Sequence, residues 1–529
     1  MMLKKAAISL TILLTAVLAI NAQPLNSRIG LTPLKVEKAI LQNQKNHSSI
    51  QPYRLNETSF IKDESQILMD LAFNPSWFSK KGNNGKSIFI QPYIEGLSFA
   101  GVSGVKTSAA AGIDISGTLH KKLAFGFAYY RQFENDLPYL KGAHLRGFSP
   151  GLSSTQSTSG DLYQFNFLQA YVSYSPNNHF NFELGNGKQF IGEGYRSMLL
   201  SDNANNSPYF KLSTNFWNIS YTNIWAFHQS IYSPYDVNSM LAKDDYLGKY
   251  TASHYLDWNI TKRFSIGLFE TVVWQTDDSL YHRGFDVNYA NPLLFYRPVE
   301  FSIGSPDNVL VGLNTKFRLF DHQYFYGQLL LDEFLLKEVR ADVAEAISPD
   351  TSRDSGWWAN KFGIQVGWKG YWELAGGDLR SRVEYNLIRP YTYAHSGATQ
   401  SYTNFGQSLA HTNGSNLNEW IAQLSYAKNR ITIEGSFFYL RQGKSKDGLN
   451  YGDDLNVTNV THFQTYNNRM LQGELLDSKT ISVDMAYRLK ESSNLEVTVG
   501  YWGRSSNFQI DNMISFGLRT MLNRRSREL

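Results

Sequence analysis

From Ser87 onward, hydrophobic and polar residues alternate with a period of two, the pattern of strands with one apolar and one polar face. Residues 481–489 place Ile481, Val483, Met485, Tyr487 and Leu489 on one face and Ser482, Asp484, Ala486 and Arg488 on the other. Residues 495–502 repeat this, with Leu495, Val497, Val499 and Tyr501 against Glu496, Thr498, Gly500 and Trp502. Segments 309–319 and 379–387 follow suit, with Asn314, Lys316 and Arg318, then Arg380, Arg382 and Glu384, on the polar side. About eighteen segments of this kind can be traced: 87–96, 107–119, 123–132, 163–175, 180–188, 209–216, 217–228, 249–260, 263–275, 309–320, 322–332, 361–370, 379–388, 417–427, 430–440, 480–489, 493–503 and 511–522.

Any one strand would also suit a soluble sandwich with a solvated charged face. The connections discriminate. Short turns (120–122, 176–178, 261–262, Asp321, 428–429 and 491–493) interleave with long excursions over 133–162, 189–208, 229–248, 276–308, 333–360, 389–416 and 441–479. Greek-key links have no reason to keep that alternation. It predicts an all-β fold: an up-and-down antiparallel outer-membrane barrel of about 18 strands, with short turns toward the periplasm and long loops outside.

The start of the chain fits that compartment. A basic Met1–Lys5, an apolar run Ala6–Ile20 and Ala22 before Gln23 read as a signal peptide over 1–22. No later apolar run approaches the roughly 20 residues of a spanning helix. Residues 23–86 are irregular, with short helices expected over 33–46 and 64–73, and read as a periplasmic segment or partial plug, or else a flexible leader. Residues 87–529 form the barrel, ending in a basic tail, Arg524–Leu529, expected at the periplasmic rim.

Composition agrees. Aromatic residues reach 14%, yet mean hydropathy is −0.35, as expected where apolar side chains meet lipid only at alternate positions. A net charge of +4 implies no nucleic-acid partner. The absence of cysteine excludes disulfides, thiolate zinc sites and thiol catalysis.

A barrel of this size has room for water unless something fills it. Its inward face carries both signs, among them Lys316, Arg380, Arg382, Arg488 and Arg519 with Glu384, Glu434, Asp484 and Glu496. These either pair with each other or a plug, or line a polar channel or a groove for an anionic sugar polymer. No zinc-protease, phosphate-loop or EF-hand motif occurs, and the histidines lack metal-ligand spacing. Ser253 and His254, adjacent on a strand, point to opposite faces and cannot form a catalytic pair. Hence no catalytic residue, metal or cofactor is expected. The long loops carry rings (Tyr289, Trp357, Trp358, Tyr391, Tyr393, Tyr451) among amides, a set suited to stacking on sugars or to packing between loops.

One stretch stands apart. Gly192-Glu193-Gly194 is followed by Tyr195, Arg196, Ser197, Met198 and then Leu199-Leu200-Ser201-Asp202-Asn203-Ala204. This resembles the signature of the capsule assembly Wzi family of outer-membrane proteins, in which a Gly-Pro-Gly-like turn precedes Leu-Ile-Leu-Ser-x-Asn-Ala-Arg-Pro. Tyr296-Arg297-Pro298-Val299-Glu300, with Asp307-Asn308 and Gly312, is similar to a downstream family segment and to relatives in gliding bacteria. Glu193 stands where the family often has Pro, and Asn205-Asn206 where Arg-Pro follows. The resemblance implies an eighteen-stranded, non-enzymatic barrel that binds or organises capsular or exopolysaccharide. Its partners would be outer-membrane lipid, surface polysaccharide and other envelope proteins. Arg196, Asp202, Asn203, Arg297, Asp307 and Asn308 are the expected glycan contacts. A gliding-motility or adhesion component and a diffusion or sugar porin are the alternatives. Strand parity puts 192–204 in an external loop, and Leu199-Leu200 should fold it into the barrel mouth as a constriction, which disfavours a freely open porin.

Overall fold

The computed structural model describes residues 25–27, 32–43, 46–55, 77–82, 86–101, 104–120, 122–135, 137, 140, 149, 151–152, 156–232, 242, 245–276, 283–292, 307–333, 335–348, 355–490 and 494–520. The signal peptide expected over 1–22, the helix expected over 64–73, Arg297 with its 296–300 segment, and the basic tail lie outside the described residues.

Among the described residues, eighteen long strands close a single antiparallel barrel. They are β1 (Ser87–Gly101), β2 (Gly104–His120), β3 (Leu123–Asn135), β4 (Leu162–Tyr174), β5 (Phe180–Gly187), β6 (Ser207–Phe216), β7 (Ile219–Ser230), β8 (Leu247–Trp258) and β9 (Phe264–Gln275). The second half comprises β10 (Asn308–Phe320), β11 (Gln323–Leu331), β12 (Phe362–Leu374), β13 (Gly377–Ile388), β14 (Leu417–Lys428), β15 (Ile431–Lys444), β16 (Glu474–Arg488), β17 (Leu495–Ser506) and β18 (Ile510–Thr520). Each pairs with its neighbour in sequence, and β18 returns to β1 with Ile514 opposite Ala100. Closure leaves no edge of unpaired backbone groups, the condition for a sheet to cross hydrocarbon. All eighteen segments read from the alternation are present, several of them a few residues longer.

The two faces of the wall differ as the alternation requires. On β16, Ile481, Val483, Met485 and Tyr487 are each more than 40% exposed on the outer side, while Ala486 is buried inward. Seven of the nine connections at one rim are long, and only 102–103 and 507–509 are tight; the other rim has short turns throughout. Helix α1 (Leu34–Gln42) starts after Pro33 and buries Val36, Ile40 and Leu41. It lies inside the wall, where Arg380 donates to Glu37 at 2.8 Å and Gln42 meets the His322 ring at 2.8 Å. A second helix, α2 (Leu336–Ile347), occupies the excursion after β11, where the sequence reading expected only loop.

Residues 283–292, in the excursion after β9, lie on the outer wall. Even-numbered positions of β8 and β9 face outward, and Trp258 and Leu268 are exposed there, yet His254, Glu270, Val272 and Trp274 on the same face are buried. Residues 283–292 lie over them. The Tyr289 ring sits 4.8 Å from that of Trp274, Trp225 Nε1 donates to the Tyr289 carbonyl at 2.8 Å, and the Tyr221 hydroxyl donates to the Pro292 carbonyl at 2.6 Å. Tyr221 is at the short-turn end of β7 and Trp274 at the long-loop end of β9, so this strap spans much of the wall's height. Ser253 bonds inward to Thr271 while His254 meets outward-facing Asn223, the opposed orientation expected of adjacent strand positions.

Candidate functional site

The loop between β5 and β6, residues 188–206, folds back into the barrel. Its own bonds make it compact: the Ile191 amide donates to the Leu200 carbonyl at 2.8 Å, and the Ser197 hydroxyl donates to the Ile191 carbonyl at 2.6 Å while accepting from the Leu199 amide. Met198 and Leu199 are fully buried, in one cluster with Phe269, Leu310 and Leu330 from the wall and Tyr393, Leu409 and Leu455 from other long loops. A cluster of this kind is worth roughly 1.5–3 kcal/mol for each large apolar side chain. The docking surface expected for Leu199-Leu200 is therefore the lumen wall and its covering loops.

The wall meets the loop backbone with polar side chains at one level. Asn314, Gln328, Gln365, Asn386 and Glu419 are register partners across the five adjacent strands β10 to β14. Gln328 accepts from the Met198 amide at 2.7 Å and donates to the Ile191 carbonyl at 3.0 Å, and Gln365 donates to the Arg196 carbonyl at 3.0 Å. One inward position below Asn386 on β13, Glu384 accepts from the amides of Tyr195 at 2.7 Å and Arg196 at 3.1 Å. That approach requires glycine before Tyr195, because a Cβ on Gly194 would stand 2.5 Å from the Glu384 carboxylate. Of this rail, sequence reasoning singled out only Glu384 as a pairing residue. The available signal was amides at inward positions mid-strand, where a wet lumen would not need them.

Arg196 anchors the loop above the rail. Its guanidinium forks onto Glu419 (Nε to Oε2 3.1 Å, Nη2 to Oε1 3.0 Å), and its Nη1 donates to Thr412 at 3.1 Å. The His411 ring closes on the same carboxylate at 2.9 Å. Below, Glu193 accepts from Lys369 at 2.8 Å, stands 3.0 Å from Lys316 and accepts from the Ser48 hydroxyl. Burial alone would raise the Glu193 carboxyl, but the Lys316 and Lys369 cations outweigh it and hold it at about 2. Glu37 is likewise held at about 2, with burial opposed by Arg380, Lys369 and Arg382. The N-terminal segment continues this contact: the Gly192 amide donates to the Ser49 carbonyl at 2.8 Å, and Ile50–Gln51 pairs with Phe190–Ile191 as a two-stranded sheet inside the barrel. His47 and Ser49 both meet Asp257 on the wall.

A small cleft opens over the loop, lined by Gly151, Lys188, Arg196, Asp202, Asn203 and Thr412 among others. Three of the expected contact residues, Arg196, Asp202 and Asn203, thus converge. Asp307 and Asn308 belong to a different network: Asp307 accepts from Arg283 at 2.9 Å, the Tyr289 hydroxyl at 2.7 Å and Gln400 at 3.2 Å, and Asn308 donates to the Gln400 carbonyl. The loop rings pack largely on one another, with Trp358 stacked 4.3 Å from His462, Tyr451 4.7 Å from Phe463, and Tyr391 and Tyr393 buried.

No protein-family model and no curated protein matches the chain. Its fold is similar to that of Wzi, described as a carbohydrate-binding β-barrel of the outer membrane involved in group 1 capsule assembly in Escherichia coli. The TM-score is 0.56 at 10% identity, covering 95% of this chain and 100% of that one. OprD of Pseudomonas aeruginosa is matched at TM-score 0.40 and 9% identity, over 82% of this chain and 94% of that one. OccAB3 of Acinetobacter baumannii is matched at 0.41 and 8%, over 82% and 98%. With its closed eighteen-stranded wall and apolar outer face, the chain is an outer-membrane β-barrel, similar to Wzi in fold.

Proposed function

We propose that this barrel is non-enzymatic and binds or organises capsular or exopolysaccharide at the cell surface. The observation that carries the reading is the loop 188–206 itself, which is held rigidly in the barrel by Arg196 and the polar rail and turns Asp202 and Asn203 into an open cleft at the long-loop rim. A preorganised polar cleft on a stiff scaffold suits a hydroxyl-rich ligand, because little ordering entropy is lost on binding. The carbohydrate binding described for Wzi, which shares the fold, supports the same reading.

In this reading the described residues between 25 and 55 enter from the periplasmic side as a plug, and the long-loop rim faces outward. The two-stranded sheet formed by Ile50–Gln51 and Phe190–Ile191 joins plug to loop across the lumen and supports a binding barrel over an open diffusion pore. Deleting the gene should reduce cell-attached capsule without reducing polymer synthesis. Unchanged capsule retention overturns the proposal. With purified barrel, Asn203→Ala should weaken polysaccharide binding.

A further inference from the structure

The polarity of the cleft is more specific than its being polar. Each cation that lines it already donates hydrogen bonds within the protein. The Arg196 fork is taken by Glu419, and its remaining nitrogen donates to Thr412. Lys188 Nζ donates to the Gly151 and Asp202 carbonyls, both at 2.9 Å. The acceptors are in the opposite condition. The Asp202 carboxylate receives no hydrogen bond among the described residues, although it is partly exposed in the cleft. Asn203 places one hydrogen of its Nδ2 on the Ser408 carbonyl at 3.1 Å, and its Oδ1 accepts no hydrogen bond among the described residues. Thr412 Oγ1 already accepts from Arg196, so its own hydrogen is the donor it can offer.

A wall with a free carboxylate and a free amide oxygen, against at most single remaining hydrogens on Thr412, Asn203 and Lys188, is complementary to a ligand that both donates and accepts. Sugar hydroxyls are donors and fit it. The carboxylate of a uronate, like a sulfate group, is acceptor-only: it would face Asp202 at close range, and the Lys188 ammonium, with two of its three hydrogens already on carbonyls, offers it at most a single donor. A cationic sugar is disfavoured in turn by the Lys188 ammonium, while the Arg196 charge is taken up by Glu419. We infer that the cleft selects a neutral, hydroxyl-bearing saccharide, with Asp202 as the principal acceptor and as the group that rejects acidic polymers. This rests on the polysaccharide-binding reading above, and it departs from the groove for an anionic polymer that the charged inward strands suggested.

The test is calorimetric titration of the full-length barrel in detergent with a neutral polymer (dextran or mannan) and an acidic one (alginate or polygalacturonate). A neutral polymer should bind at least tenfold more tightly than either acidic one. Asp202→Asn should weaken neutral binding by about tenfold, the effect of one hydrogen bond to a charged acceptor, and should raise acidic binding. Acidic polymers binding as tightly as neutral ones, or an Asp202→Asn variant with unchanged preference, overturns the inference while leaving the polysaccharide reading standing. Binding of neither class by a folded barrel overturns that reading and this inference together. The fold of each variant is checked by its thermal midpoint.

Discussion

Ser48 donates its hydroxyl to the Glu193 carboxylate, so two stretches of chain that reach the lumen from opposite ends meet at one side chain. The same carboxylate takes Lys369 at 2.8 Å and Lys316 at 3.0 Å from the wall. A buried ion pair contributes little net stability when intact, because desolvation cancels most of the attraction. Breaking it by removing one partner is costly.

Glu193→Ala should therefore destabilise the barrel by about 3–5 kcal/mol, since it leaves Lys369, itself almost fully buried, without its nearest carboxylate. Urea titration of the barrel in detergent micelles measures this. Planar-bilayer recording supplies the second readout: with the junction of plug and loop loosened, the variant should conduct more than the parent. A variant as stable and as closed as the parent would show that Glu193 does not hold the two stretches together.

Acid should act through the same carboxylates. Glu193 and Glu37 are both held at about 2 in the folded chain, burial being outweighed by neighbouring lysines and arginines, whereas an unfolded glutamate titrates near about 4.3. With the folded value the lower one, their stabilisation is fully present above the unfolded value and is lost as pH falls toward about 2. Thermal midpoints should be flat from neutral pH down to about 5 and decline below that. Glu193→Gln should flatten the decline, and an equally steep decline in that variant would assign acid sensitivity elsewhere.

The wall was legible because period-two alternation is a property of consecutive residues, and Ile481 to Tyr487 carry it without reference to anything distant. The junction was not. Glu193 was visible as a departure from a proline-bearing turn, but its partner Lys369 lies 176 positions away, and no local pattern relates them. The strap was hidden for a different reason. His254 and Glu270 are polar residues on the outer face, which reads as a flaw in the alternation until 283–292 is seen to cover that face. Helix α2 carries a local signal, apolar residues at helical spacing over Leu336–Ile347, inside a long segment between strands that reads as loop.

Gly194→Ala isolates the rail from the ion pairs. The added methyl meets the Glu384 carboxylate and, at 2.8 Å, the Arg196 carbonyl, so it must displace the two amides that Glu384 accepts. Polysaccharide binding should fall about tenfold or more as Asp202 and Asn203 move with the loop, with a stability loss of roughly 1–3 kcal/mol. Gly96→Ala, in β1 with open space around the new methyl, is the matched control and should leave both unchanged or gain slightly in stability. Equal behaviour of the two variants would mean that the loop tolerates displacement from Glu384.

Asp307 should prove structural and separable from binding. It ties the strap to the wall through Arg283 and Tyr289, so Asp307→Ala should lower stability by ~1–3 kcal/mol while leaving polysaccharide affinity within about twofold. The reason for the strap predicts an interaction between distant changes. If 283–292 shields His254 and Glu270 from lipid, then Tyr289→Ala, which removes the ring packed on Trp274, should cost more in the native wall than in one carrying His254→Leu and Glu270→Leu, where the covered face is already apolar. A double-mutant cycle in urea should give a coupling of ~0.5–3 kcal/mol. Simple additivity would mean that the strap packs on the wall for the sake of Trp274 and Val272 alone, and that the polar residues beside them are satisfied without it.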